Sequence, residues 1–135
     1  MLSQLSIFVE NKVGSVHEIT HVLYESGINL RAIQTFDSPD FCILRIVVDQ
    51  LELAKKVLME QGFAVKVSKV LALKLIDKPG ELDRVLGLLA NHNLSINYIY
   101  SFVLQGEKAP LMVMNINDME KAREVLLENK VCLVD

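Results

Sequence analysis

The sequence predicts an α+β fold, two βαββαβ sandwiches in tandem, each an antiparallel sheet with its helices on one face. Three observations predict it. The chain repeats itself, each copy passes through strand-like and helix-like hydrophobic periods in that order, and 135 residues suit two very small units or one compact domain.

The repeat comes first. Shifted by 66 residues, SIFVENKVGSVHEITHVLYESGINLRAI falls on ALKLIDKPGELDRVLGLLANHNLSINYI. Val9 then meets Leu75, Asn11 meets Asp77, Lys12 meets Lys78, Gly14 meets Gly80 and Leu23 meets Leu89. Further along the shift becomes 68, and DQLELAKKVLMEQ falls on NDMEKAREVLLEN. The change of offset lies in the polar turn from Gln105 to Pro110, where hairpins tolerate insertions. The duplication divides the chain into residues 1–68 and 69–135.

Each copy reads in the same order. Leu5, Ile7 and Val9, and likewise Leu71, Leu73 and Leu75, alternate as a strand that runs into a glycine turn. Val16, Ile19 and Leu23 then recur at helical spacing, as do Leu82, Val85, Leu86 and Leu89. Gly27 and Asn93 are suited to end these helices. Residues 29–37 with 41–48, and 95–104 with 110–116, read as hairpins joined by the turn residues DSPD and QGEKAP. A second helix follows on Leu51, Ala54, Val57 and Leu58, and on Met119, Ala122, Val125 and Leu126. A short strand closes each copy, Phe63 to Val67 and Val131 to Val134. The order βαββαβ implies a ferredoxin-like sandwich with a four-stranded sheet.

Nothing richer than Ser68-Lys69 separates the halves, so they are expected side by side. If Cys42, Leu44, Ile46 and Val48 face the helices, Phe41, Ile43, Arg45 and Val47 face away. An outward face that apolar is expected to be buried by the other half or by a second subunit, since an open one should be polar.

Composition narrows the function. The chain is 51% hydrophobic and 23% charged, which fits a folded domain with apolar surface left for a partner subunit. A net charge of −3 argues against binding a phosphate backbone, so no nucleic-acid partner is expected. No apolar run approaches the roughly 20 residues that span a bilayer, and the N-terminus lacks the marks of a signal peptide. The expected location is the cytoplasm. Cys42 and Cys132 are expected to be buried reduced thiols.

No catalytic pattern stands out. His17 and His21 share a helix face at i,i+4 but lack the HExxH arrangement, and read as an exposed pair. No GxSxG, P-loop or CxxC occurs, and the RNA-binding aromatic motif of the same fold is missing. No enzyme activity, metal or cofactor is expected.

The chemistry resides in the glycine turns. A helix N-terminus presents unpaired N–H groups and a partial positive charge, a ready site for a carboxylate or phosphate. Pro79 stiffens the second turn, Gly80 removes a Cβ from the path of a ligand, and Asp77 could receive an ammonium group. Together these suit an α-amino acid, although a Pro-Gly turn before a helix has a purely structural use as well. Ser15-Val16-His17-Glu18 reads as a capping box, so the first helix is expected to satisfy its own N–H groups. The Gly80 turn is therefore expected to be the more available one.

The βαββαβ repeat, DKPGEL ahead of a helix, and GINL and LSINYI opening the second strand resemble the ACT domain, a small regulatory module that binds amino acids. DKPGEL matches the family's D-x-P-G turn; ENKVGSV departs from it at Asn11 and Val13. The resemblance covers nearly the whole chain twice. It implies a ligand held between the strand-1/helix-1 turn of one unit and the second strand of its neighbour. The residues so implied are Asn11, Gly14, Ser15 and Val16 in the first turn, and Asp77, Gly80, Glu81 and Leu82 in the second. Asn29 and Asn97 would face the ligand from the other unit. The expected partners are a small amino acid, a second copy of the chain as a homo-oligomer (dimer), and an amino-acid metabolic enzyme. The alternative is a ligand-free interaction subunit for such an enzyme.

Overall fold

The computed structural model describes residues 1–104 and 106–134, so Gln105 of the predicted turn and the last residue of the second half lie outside the described residues. Among them are β1 (Leu2–Glu10), α1 (Ser15–Glu25), β2 (Leu30–Asp37), β3 (Phe41–Val48), α2 (Leu51–Glu60) and β4 (Ala64–Lys74). Then follow α3 (Glu81–Asn91), β5 (Ile96–Phe102), β6 (Leu111–Ile116), α4 (Met119–Glu128) and β7 (Cys132–Val134). The chain forms two compact units, an N-terminal one of Ser3–Ser68 and a C-terminal one from Lys69 onward that includes Met1–Leu2. Ser68 and Lys69 both lie inside the 11-residue strand β4, because the apolar alternation of both copies continues without a turn residue.

In the N-terminal unit the strand order is β2-β3-β1, with β4 beside β1. The antiparallel register sets Ile7 opposite Leu44 and Val9 opposite Cys42. These side chains point to one face with Leu5 and Ile46, where Ile19 and Leu23 of α1 and Ala54 and Leu58 of α2 cover them. Each fully buried leucine or isoleucine contributes about 1.5–3 kcal/mol. The C-terminal unit repeats the plan: β6 lies between β4 and β5, and β7 pairs with the other side of β4. Leu71, Leu73 and Met114 meet Val85 and Leu89 of α3 and Ala122 and Leu126 of α4. The duplication extends to irregularities. A register shift opens the second strand of both copies, between Leu30 and Ala32 and between Ile96 and Tyr98.

The four helices share one way of ending. Gly27, Gly62, Asn93 and Lys130 all take positive φ, and the next N–H reaches back into the helix, as from Ile28 to the Leu23 carbonyl at 2.9 Å. Gly27 and Asn93 thus hold the places the sequence assigns them.

One expectation is corrected. Cys42 is buried but Cys132 is exposed. Its neighbour Leu133 turns toward the core, and strand alternation sends Cys132 the other way. On the outward face of β3 only Val47 is buried; Ile43 and Arg45 are half-buried and Phe41 is 44% exposed. Among the described residues no helix is long and apolar enough to cross a membrane.

Candidate functional site

Both glycine turns have the same backbone. Gly14 and Gly80 sit at the N-cap with φ of 85° and 90°, the left-handed region that glycine enters without cost. A Cβ on either would meet nothing within 4 Å, so conformation and not space requires glycine there. The Ser15 N–H donates to the Lys12 carbonyl at 3.3 Å, and the Glu18 N–H donates to that of Gly14 at 2.9 Å. Glu81 to Lys78 and Arg84 to Gly80 repeat these bonds at 3.4 and 2.9 Å.

Among the described residues no side chain caps either helix. The capping box predicted from Ser15 to Glu18 does not form. Gly14 takes the N-cap place, which makes Ser15 the first helical residue, one position too late for its hydroxyl to reach back to the first-turn amides. The N–H groups of Val16 and His17, like those of Leu82 and Asp83, have no partner among the described residues.

The side chains then separate the two turns. Ser15 is only 5% exposed, and its Oγ has no hydrogen-bond partner among the described residues. It borders a cavity of about 230 Å³ together with Phe8, Glu10, Lys12, Glu18 and the Gly62-Phe63 turn after α2. That volume lies below the roughly 300–1,000 Å³ of drug-sized pockets, so only a small molecule fits. The wall carries charges of both signs: Lys12 and the α1 N-terminus can take a carboxylate, and Glu10 or Glu18 can take an ammonium group. Lys12 Nζ lies 3.3 Å from Glu10 Oε2, in an exposed pair that a ligand can replace at little cost.

At the equivalent place in the second copy stands Glu81, equally buried, whose Oε1 accepts from Arg84 Nη2 at 2.8 Å. The Arg84 hydrogen bond lowers the Glu81 pKa, burial opposes it, and the charges of Arg84 and Lys78 add to the lowering. The helix thus holds a fixed anion of its own at its N-terminus. The neighbouring cavity of about 210 Å³, which Asp77, Lys78, Glu81 and Leu82 border, would set an incoming carboxylate against that anion. The capping difference expected between the two turns is therefore absent: the open donors are equal, and the buried Ser15 Oγ without a partner among the described residues lies beside Gly14.

The other predicted residues lie apart. Asn11 Nδ2 donates to the Ser38 carbonyl at 3.2 Å and ties the turn to the β2–β3 loop. The Asn29 N–H donates to Asp49 Oδ1 at 2.9 Å, at the far end of α1. Eleven helical residues put about 16 Å between that end and Ser15, so one unit cannot bring Asn29 to its own turn. Asn97 donates to Asn115 Oδ1 at 2.7 Å, on the irregular opening of β5. Asn29 and Asn97 are not equivalents in the repeat: Ser95 takes the place of Asn29, its N–H donating to Asn117 Oδ1 at 3.0 Å. The His17 and His21 rings lie 5.9 Å apart, tilted by 56°, on the exposed side of α1, where His21 Nε2 meets Glu25 Oε1 at 2.8 Å.

Sequence reasoning missed Lys12, Glu10, Glu18 and the Gly62-Phe63 turn as walls of one cavity. The signal available was the charge alternation around Gly14; the contact with residues far along the chain had none.

A pair of ferredoxin-like units, each with an uncapped glycine turn at its first helix, defines a class of duplicated small domains. The family described as the ACT domain pair matches residues 1–135, and the chain belongs to it. A protein of known structure from Bacteroides thetaiotaomicron is 39% identical, with 98% of this chain and 91% of that one covered and a TM-score of 0.91. The regulatory subunit of aspartate kinase from Thermus thermophilus shares the fold at 14% identity and a TM-score of 0.65, with 93% of this chain and 90% of that one covered. A structure of aspartokinase alpha and beta subunits shares it at 16% identity and a TM-score of 0.58, with 95% and 96% covered. No curated protein matches the sequence.

Proposed function

We propose that this protein is a non-catalytic regulatory module that binds a small α-amino acid at the Gly14 turn. One observation carries the reading: the buried Ser15 Oγ has no partner among the described residues, and Ser15 borders a small cavity at an uncapped helix N-terminus. A buried hydroxyl left unpaired costs about 1–3 kcal/mol, and a ligand carboxylate would recover it. Lys12 supplies a further donor from the cavity wall, Glu10 and Glu18 offer partners for the ammonium group, and the open Val16 and His17 amides at the start of α1 would add donors. Asn29 or Asn97 of a neighbouring unit would close the site from its open side. Binding would act by population shift, favouring one arrangement of units that an amino-acid metabolic enzyme reads.

The family and the shared fold with aspartate kinase regulatory subunits support a regulatory role. The test is a thermal-shift screen of the twenty amino acids. One or a few should stabilise the protein, by about 2.7 kcal/mol when present at 100 times their Kd. A flat response would contradict the reading. It would favour instead the ligand-free interaction subunit, for which the half-exposed Phe8, Phe36 and Phe41 are the supporting observation.

A further inference from the structure

The two copies carry different charges at the start of their first helix. In the repeat Ser15 corresponds to Glu81, Glu18 to Arg84, Lys12 to Lys78 and Glu10 to Ile76. The second copy fills its own helix start. The buried Glu81 places a carboxylate in the first turn of α3, and Arg84 Nη2 donates to it at 2.8 Å from one turn further on. That hydrogen bond, and then the charges of Arg84 and Lys78, favour the ionised carboxylate against the cost of its burial. An anion at a helix N-terminus, with a cation one turn along and another on the approaching chain, satisfies itself.

In the first copy the same places carry complementary groups. Ser15 has a hydroxyl where Glu81 has its carboxylate, and Glu18 has an anion where Arg84 has its cation. Both border the cavity of about 230 Å³, as does Lys12. The buried Ser15 Oγ has no partner among the described residues. What the second copy supplies from its own chain, the first leaves to a ligand: a carboxylate at Ser15 beside Lys12, and an ammonium group at Glu18. Such a ligand leaves one wall charge over. Lys12 Nζ lies 3.3 Å from Glu10 Oε2, and once it turns to the ligand carboxylate Glu10 loses that partner. The second cavity has the apolar Ile76 at this position.

Resting on the amino-acid reading of the Gly14 turn, we infer that this site selects an α-amino acid whose side chain carries a second cationic group, which Glu10 receives. The wall sets two carboxylates against one ammonium, so it attracts a ligand of net positive charge and repels an acidic side chain. The Glu10 side chain is 76% exposed, so the preference is about fivefold and fades with added salt.

The test is titration calorimetry of the full chain at low ionic strength with L-lysine, L-norleucine and L-glutamate. Norleucine keeps the carbon chain of lysine and lacks its second ammonium group. Lysine should bind about fivefold tighter than norleucine, and glutamate most weakly. Glu10→Gln should erase the preference for lysine, whereas Glu18→Gln should weaken lysine and norleucine alike. Lysine no tighter than norleucine, or a preference that survives Glu10→Gln, overturns the proposal. Norleucine that still moves the Val16 and His17 amides would then keep the Gly14 reading intact. Binding by none of the twenty amino acids overturns both.

Discussion

Replacing Ser15 by alanine should make the protein more stable and less able to bind. Ser15 is 5% exposed and its hydroxyl lacks a partner among the described residues, so in the free protein it contributes a desolvation cost of about 1–3 kcal/mol with nothing gained. Alanine removes that cost, fills nearly the same space and favours the helix slightly more. The N-terminal unit spans Ser3–Ser68, and for a domain of such size a gain of about 1 kcal/mol raises Tm by about 4–8 °C. In the complex the sign reverses. A hydrogen bond to a charged carboxylate is worth about 1.5–3 kcal/mol, so affinity should fall about 10- to 100-fold. Urea denaturation gives the first quantity and titration calorimetry the second. A Ser15→Ala variant that is less stable than the wild type and binds as tightly would refute the reasoning, because the hydroxyl would then have a structural partner and no ligand.

The remaining predictions concern the fold and its titration. Gly14→Ala should cost about 1–2 kcal/mol from positive φ alone, since no atom lies within 4 Å of the added Cβ, and Gly14→Asn should cost less; denaturation midpoints check both. Lys130→Gly should stabilise by up to about 1 kcal/mol, because Lys130 holds a φ of 61° where its repeat equivalent is Gly62. Glu81 has a folded pKa below its unfolded one, so its contribution is present above the ordinary glutamate range and disappears as pH falls through the lowered value. Glu81→Gln should therefore flatten the acid limb of a Tm-against-pH curve and leave the alkaline limb alone. The alkaline limb belongs to Lys74, whose pKa is raised first by its hydrogen bond to Glu107; stability from that pair persists below the ordinary lysine range and is lost as pH rises through the raised value.

Most of the architecture was legible because it rests on local period. Leu5, Ile7 and Val9 alternate, Ile19 and Leu23 recur at helical spacing, and Gly27 and Asn93 take the positive φ that ends a helix. The repeat located the hairpins by making each copy a check on the other. Ser68 and Lys69 carry no turn signal, and the strand β4 runs through both without a break.

The site was less legible. Ser15 and Glu18 have the spacing of a capping box, and the motif fails by one residue because Gly14 takes the left-handed N-cap. Glu81 was visible as a first-turn acid, but its burial against Arg84 depends on how α3 sits on the sheet. Those two outcomes decide which turn is open. They arise from packing between distant segments, which neither copy announces alone.

The most direct measurement is amide mapping of the isotopically labelled full chain during titration with each of the twenty amino acids. The account predicts that at least one moves the Val16 and His17 amides and leaves those of Leu82 and Asp83 in place. Amides at Leu82 and Asp83 moving while Val16 and His17 stay still, or no movement at either turn with any amino acid, would contradict it.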